Sequence, residues 1–253
     1  MNARVLITAG ASGIGLAMGQ AFDAAGYDVW VSDLNARALG EVPGHWRTSH
    51  VDVIDEGQMA AMFGDIGRDW GGVDVICANA GIAGPTAPVE EIALADWQHC
   101  LSVNLEGAFL CAKYGAPMLK AQGAGAMILT SSTAGQYGYP HRAPYAAAKW
   151  AVIGLMKTLA MELGPHGARA NAICPGAVEG PRMEGVLQRE AAAKCMTRDQ
   201  VYDGYASGTS MGQFVEARDI AAMAVFLGSD AARLVSGQVI AVDGHTVNPD
   251  PKV

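Results

Sequence analysis

Residues 8–15 read TAGASGIG, directly after the apolar run Val5-Leu6-Ile7 and directly before the helix-like stretch LAMGQAFDAAG. A glycine-rich turn from strand to helix presents backbone N–H groups and the positive end of a helix dipole, which suits a pyrophosphate. The spacing is unusual, because Gly10, Gly13 and Gly15 do not spell the dinucleotide fingerprint G-x-G-x-x-G. Glycine turns also occur merely to let a chain turn tightly. Alone, the stretch leaves a cofactor turn and a plain turn both open.

Outward from the turn, apolar runs recur: VLIT (5–8), DVWVSD (28–33), RTSHVDV (47–53), VDVICAN (73–79), AMILTSS (126–132), ARANAICPG (168–176) and QVIAVDG (238–244). Most are short, rich in Val and Ile, and lack polar alternation, as strands buried on both faces do. Between them lie helix-period stretches: LAMGQAFDAAG, EGQMAAMFGDIGRDW, a long one over 95–122, APYAAAKWAVIGLMKTLAMELG and EARDIAAMAVFLGSD. Such alternation predicts an α/β fold, a parallel sheet of about seven strands with helices on both faces. No linker or repeat interrupts it, so residues 1–253 read as one domain. The segment 177–213 breaks the rhythm. It is charged and interrupted by Pro181, and reads as a substrate loop with one or two short helices. The tail HTVNPDPKV reads as an irregular arm.

Half of the 253 residues (51%) are hydrophobic and 17% are charged, which is globular. A net charge of −8 argues against nucleic acid or an anionic membrane as partner. No uncharged run approaches the roughly 18 residues of a membrane span. Strand-like sequence begins by about residue 3, which predicts no targeting peptide and a cytoplasmic protein. The five cysteines are odd in number and scattered, as expected for free thiols in a reducing compartment. The six histidines form no ligand cluster, so no metal is expected.

Asp33 closes the second strand, 18 residues after Gly15, where a carboxylate can accept hydrogen bonds from a ribose diol. A phosphate on that ribose would meet a negative charge, and no Arg or Lys follows before Arg37. The position favours NAD over NADP; its plainer reading is a turn-initiating Asp.

TAGASGIG, Asp33, VDV at 51–53, ANAG at 78–81, Asn104 in SVNLEGAF, Ser132 in LTSSTAG, YAAAK at 145–149 and PG at 175–176 occur in this order. Together they resemble the short-chain dehydrogenase/reductase family, in its branch of about 250 residues, over nearly the whole chain. The most specific element is Ser132, with Tyr145 13 residues later and Lys149 4 after that. The resemblance implies a doubly wound (Rossmann) sheet, a homotetramer and an NAD-dependent oxidoreductase acting on a small-molecule secondary alcohol or ketone. Tyr145 and Lys149 lie four apart on a helix, so they share a face. A phenol titrates near 10, too high for a base at neutral pH, but an adjacent ammonium and the positive nicotinamide favour phenolate. Tyr145 can then exchange a proton with the substrate hydroxyl while hydride passes between the carbinol carbon and the nicotinamide. Ser132 would orient the substrate oxygen, and Asn104 would hold a water linking Lys149 to solvent. By the same resemblance Gly10, Ser12, Gly13, Ile14 and Gly15 form the cofactor turn, and Asp52 and Val53 contact the adenine. Asn79 braces the central strands beside the cofactor, Tyr145 and Lys149 also contact it, and the Val178 backbone meets the carboxamide.

The chain departs from the family pattern twice. Ala9 stands at the first glycine of the family turn, so its φ should stay negative or Gly10 should supply the permissive angle. Gly180 occupies the position of a Thr that commonly binds the carboxamide. On the substrate side, His141, Arg142 and Arg182 could hold an anionic group by charge-assisted hydrogen bonds, or be solvated side chains, or pair with Glu179 or Glu184. Tyr137 and Tyr139 could line the pocket or simply pack. A sugar, polyol or hydroxy acid is the favoured substrate; an apolar or aromatic alcohol, and an idle NAD-binding sensor, are the alternatives.

Overall fold

The computed structural model describes residues 2–249. The last four residues of the expected C-terminal arm lie outside them. Among the described residues the chain order is β1 (Arg4–Thr8), α1 (Gly13–Ala24), β2 (Asp28–Asp33), α2 (Ala36–Leu39), β3 (Arg47–His50), α3 (Glu56–Trp70), β4 (Val75–Ala78) and α4 (Leu94–Leu101). There follow α5 (Gly107–Gln122), β5 (Gly125–Thr130), α6 (Ala143–Leu163), β6 (Ala168–Pro175), α7 (Pro181–Lys194), α8 (Arg198–Ser207), α9 (Ala217–Gly228) and β7 (Val239–Val242). The seven strands form one sheet in the order β3-β2-β1-β4-β5-β6-β7, with every pair parallel. The strand order reverses between β1 and β4, and a crevice opens there beyond the carboxyl ends of the strands.

The lack of polar alternation has a direct cause. Successive strand residues point to opposite faces, and here both faces are covered. Leu6, Ile76, Met127 and Leu129 bury one face against Phe63 and Ile66 of α3, Leu119 of α5 and Met156 of α6. Val5, Ile7, Val31, Cys77 and Ile128 bury the other against Met18 and Phe22 of α1 and Ile220 and Leu227 of α9. Local chemistry sets the helix ends. Asp55 caps α3 by accepting from the Gln58 N–H, and Gly71 ends it with φ at +71°; Gly123 ends α5 in the same way.

Three expectations change. The third strand is shorter than 47–53: it stops at His50, because Asp52 Oδ1 takes the Ile54 N–H and turns the chain toward α3. The stretch 95–122 is not one helix, since residues 102–106 form a π-helical turn between α4 and α5. The segment 177–213 is mostly helical rather than mostly loop. Pro181 starts α7 instead of interrupting it, and α8 begins with a reciprocal cap between Thr197 and Gln200. Proline lacks only an N–H that the first turn leaves unpaired anyway.

Candidate active site

The glycine turn joins β1 to α1 at the reversal point. Ser12 stands at the helix N-cap with its hydroxyl making no capping bond, so the first-turn N–H groups face the crevice. Two glycines are required there for different reasons. Gly13 has φ at +50° with open space around it, whereas a Cβ on Gly15 would sit 2.1 Å from Ala9 O and 2.8 Å from Asn79 Nδ2. Gly10 serves packing, since its Cβ would strike Val31 at 2.6 Å. The expectation for Ala9 is overturned: it is Ala9 itself that holds the left-handed angle, with φ at +50°, and Gly10 does not. The close approach to Val31 fixes Gly10, leaving the reversal to the residue before it.

Asp33 accepts the Ala11 N–H at 3.1 Å and the Asn35 N–H at 2.9 Å. It thus belongs both to the glycine turn and to a turn of its own, at the end of β2 where a ribose would lie. Asn79 ties β1, β4 and β5 together: its Nδ2 donates to Thr8 O at 3.1 Å and its Oδ1 accepts from Thr130 Oγ1 at 3.2 Å. Val53 is buried against Gly107, and Asp52 sits in the turn before α3.

Beside this turn a cleft is lined by Ser12, Gly13, Ile14, Gly15, Asn79, Ser132, Tyr145, Lys149, Val178 and Arg182, among others. Tyr145 and Lys149 lie in the first two turns of α6, on one face and both buried. Lys149 Nζ donates to Thr130 O at 2.9 Å and lies 5.7 Å from the centre of the Tyr145 ring. Ser132 accepts the Ala134 N–H on Oγ at 3.1 Å and lines the cleft, where its O–H remains available as a donor. Asn104 sits in the π-helical turn, a rare geometry often found at functional positions. That turn aims the amide. Nδ2 donates to Cys100 O at 2.8 Å and Ile82 O at 3.0 Å, while the buried Oδ1 has no partner in the protein. Gly81 makes room for this arrangement, since a Cβ there would lie 2.6 Å from Asn104 Oδ1 and 3.2 Å from Lys149 Nζ.

Electrostatics prepares Tyr145. Burial alone raises the phenol, but the charges of Arg182, Lys149 and Arg142 and a hydrogen bond from Ser132 outweigh it and bring it to about 8. Burial pushes Lys149 down, and the neighbouring Tyr145 opposes that. Three cations thus surround one ring: Arg142 at 4.8 Å, Lys149 at 5.7 Å and Arg182 at 5.9 Å from its centre.

The substrate-side candidates divide. Arg182, in the first turn of α7, lines the cleft; His141 does not, and its main-chain oxygen holds the Ala87 N–H instead. Arg142 is buried and paired with Glu190 of α7 at 3.4 Å, so it is not a free anion ligand. Tyr139 packs behind Tyr145 and hydrogen-bonds Thr133 Oγ1 at 2.9 Å, and Tyr137 lies outside this lining. Val178 forms a parallel bridge with Val215 through its neighbours Ala177 and Glu179, which turns its own N–H and C=O the other way. Gly180 has φ at +137°, an angle that a Thr would hold only under strain. Glu190, which pairs with Arg142 and accepts from Tyr205 Oη, carried no local signal in the sequence, because its partners Arg142 and Tyr205 lie 48 and 15 residues away.

The residues present fit a nicotinamide dinucleotide. The glycine turn is a cradle that a Cβ at position 15 would fill, Asp33 stands at the ribose end, and the orphaned Asn104 Oδ1 lies behind Lys149. Among the described residues, no three His, Cys, Asp or Glu side chains converge as metal ligands, and no helix is long and apolar enough to cross a membrane. A family profile described as enoyl-(acyl carrier protein) reductase matches residues 8–245. Cis-4-hydroxycyclohexanecarboxylate dehydrogenase of Sinomonas cyclohexanicum is 33% identical over 245 residues, 94% of each chain. Levodione reductase superposes with a TM-score of 0.91 at 31% identity, covering 96% of each chain. NAD+-bound xylitol dehydrogenase gives 0.93 at 26% identity, covering 96% of this chain and 98% of that one. The resemblance read from the motifs is thereby established: the chain belongs to the short-chain dehydrogenase/reductase family.

Proposed function

We propose that the protein is an NAD-dependent dehydrogenase of a small secondary alcohol, or the reductase of the matching ketone. The observation that carries this is the convergence of Ser132, Tyr145 and Lys149 beside the glycine turn, with the phenol brought to about 8. The nicotinamide, when bound, supplies a hydride acceptor for the carbinol carbon. Ser132 donates a hydrogen bond to the substrate oxygen and orients it. Tyr145 Oη takes the hydroxyl proton, and Lys149 holds the resulting charge balance as that proton leaves. Asn104 would hold the water through which Lys149 reaches solvent. Gly10, Ser12, Gly13, Ile14 and Gly15 would bind the pyrophosphate side, Asp52 and Val53 the adenine, and the Val178 main chain the carboxamide. The Asp33 carboxylate selects NAD over NADP by repelling a ribose phosphate.

Two relatives are named for a hydroxycyclohexanecarboxylate and for xylitol, which supports a hydroxy acid or polyol, whereas (+)-borneol dehydrogenase of Salvia officinalis and a carveol dehydrogenase support the apolar-alcohol alternative. The chain is proposed to work as one domain in a reducing cytoplasm, where its five unpaired cysteines would remain thiols. Phe109 of α5 and Trp150 and Met161 of α6 are exposed apolar side chains on long helices, which supports pairing between copies and a homotetramer. A panel of alcohols with NAD, read as absorbance of the reduced nicotinamide, tests the activity. NAD binding without oxidation of any secondary alcohol would leave the sensor reading in its place. Sedimentation of the purified chain tests the tetramer.

A further inference from the structure

We infer that the substrate alcohol carries a carboxylate, and that Arg182 holds it across the cleft from Tyr145; this rests on the dehydrogenase reading above. Two of the three cations around the Tyr145 ring are already matched. Lys149 donates a hydrogen bond to Thr130 O and faces Tyr145. Arg142 is matched by Glu190, whose Oε1 lies 3.4 Å away, and its Nη2 donates to Ala83 O. Arg182 has neither. The two carboxylates nearest it in sequence are engaged elsewhere: Glu179 Oε1 accepts from Tyr202 Oη at 2.7 Å, and Glu184 accepts from Arg198 Nη2 at 2.7 Å and Gln188 Nε2 at 3.1 Å. Arg182 is an exposed residue at the mouth of the cleft, and among the described residues its guanidinium faces the Tyr145 ring, 5.9 Å from guanidinium carbon to ring centre.

The helix gains nothing from a cation at this place. Arg182 is in the first turn of α7, the end where the helix dipole disfavours positive charge. Its value lies on the cleft side, where its guanidinium can grip a planar carboxylate with two parallel hydrogen bonds. The short separation from the Tyr145 ring lets one small molecule touch both, with its hydroxyl at Tyr145 and its carboxylate at Arg182. Glu179 also lines the cleft, with Oε1 turned to Tyr202 Oη and, among the described residues, no ion pair to Arg182. The predicted substrate class is therefore a hydroxy acid whose secondary hydroxyl is separated from the carboxylate by a compact skeleton.

The test uses the full chain with NAD and matched pairs: 4-hydroxycyclohexanecarboxylate, 3-hydroxycyclohexanecarboxylate and 3-hydroxybutyrate, each beside its methyl ester. The wild type should prefer at least one acid over its ester by about 10-fold or more in kcat/KM. Arg182→Met should reduce that acid/ester ratio by about 10- to 100-fold, and Arg182→Lys should restore part of it. The ratio cancels whatever Arg182 does to Tyr145, which acts equally on acid and ester. Esters oxidised as well as acids, or an unchanged ratio in Arg182→Met with a raised KM for NAD, would overturn the proposal while leaving the dehydrogenase reading standing. If no acid, ester or neutral alcohol is oxidised although NAD binds, both fail.

Discussion

Arg142 holds its guanidinium carbon 4.8 Å from the centre of the Tyr145 ring, on the residue that immediately precedes helix α6. Its other side faces Glu190 of α7, and both side chains are buried, Arg142 at 6% and Glu190 at 2% exposure. Glu190 Oε1 also accepts from Tyr205 Oη of α8 at 2.7 Å, and Lys194 lies 3.5 Å from Oε2. One carboxylate thus pins both helices of the 181–207 segment to the start of α6. The same carboxylate is the counter-charge of Arg142, one of the cations that lower the phenol.

Glu190→Gln separates these two effects, because it keeps an acceptor for Tyr205 and removes the charge. Leaving Arg142 buried without its counter-charge should cost on the order of 3 kcal/mol. For a chain of this size that lowers Tm by roughly 6–12 °C. With the negative charge gone, the cations act on Tyr145 undiminished, so the pH midpoint for oxidation should move to lower pH. Scanning calorimetry and a pH–rate profile check the two outcomes. A midpoint that stays put would reduce Glu190 to a purely structural tie.

The pH dependence of the wild type follows from Tyr145. Its phenol sits at about 8, below the usual value, because the surrounding cations and Ser132 outweigh burial. Oxidation needs the phenolate, so kcat/KM should rise with pH through about 8 and then level off. Reduction needs the phenol and should fall over the same range. Lys149→Met removes one cation and should move the midpoint upward by about one to three units. Tyr145→Phe should abolish turnover and leave NAD binding, followed by nucleotide fluorescence, nearly intact. Substantial activity in Tyr145→Phe would overturn its role as the base.

The proposed preference for NAD is assigned to Asp33, whose two oxygens meet the Ala11 and Asn35 N–H groups at the end of β2. Asp33→Ala removes the repulsion toward a ribose phosphate and an acceptor for the ribose diol. The NADP/NAD ratio of kcat/KM should rise by about 10-fold or more, with KM for NAD increasing. An unchanged ratio would place the discrimination elsewhere in the 33–37 turn.

What could be read in the sequence follows from the range of each interaction. β1, β4 and β5 were legible because burial on both faces demands apolar runs, and those runs match the strands within one or two residues. Tyr145 and Lys149 were legible because a helix turns spacing of four into proximity. Helix α7 was not: PRMEGVLQREAAAK shows little apolar periodicity, and half of what it buries is the charge of Glu190 and the small side chain of Ala191 beside Val186 and Leu187. Glu190 reaches Arg142 across 48 residues, which no local pattern encodes. The π-helical turn at 102–106 was equally hidden, since it follows from aiming Asn104 at Ile82 and Cys100 rather than from any propensity.

The turn that decides the fold contains a strained residue, and that strain is testable. Ala9 holds φ at +50°, where a side chain costs about 1–2 kcal/mol relative to ordinary backbone. Ala9→Gly relieves this but frees the unfolded chain, which offsets about 0.4–1 kcal/mol. The net gain should be about 0.5–1 kcal/mol, a rise in Tm of roughly 1–4 °C. Gly15→Ala should act in the opposite sense, because its Cβ would fall 2.1 Å from Ala9 O, and the turn could keep neither its shape nor its grip on the dinucleotide. Thermal unfolding and titration with NAD distinguish the two. Ala9→Gly should raise Tm with a near-native Kd, and Gly15→Ala should lower Tm and weaken NAD by 10-fold or more, a loss of about 1.4 kcal/mol. A lower Tm in Ala9→Gly would mean that the methyl group packs more favourably than its backbone angle costs.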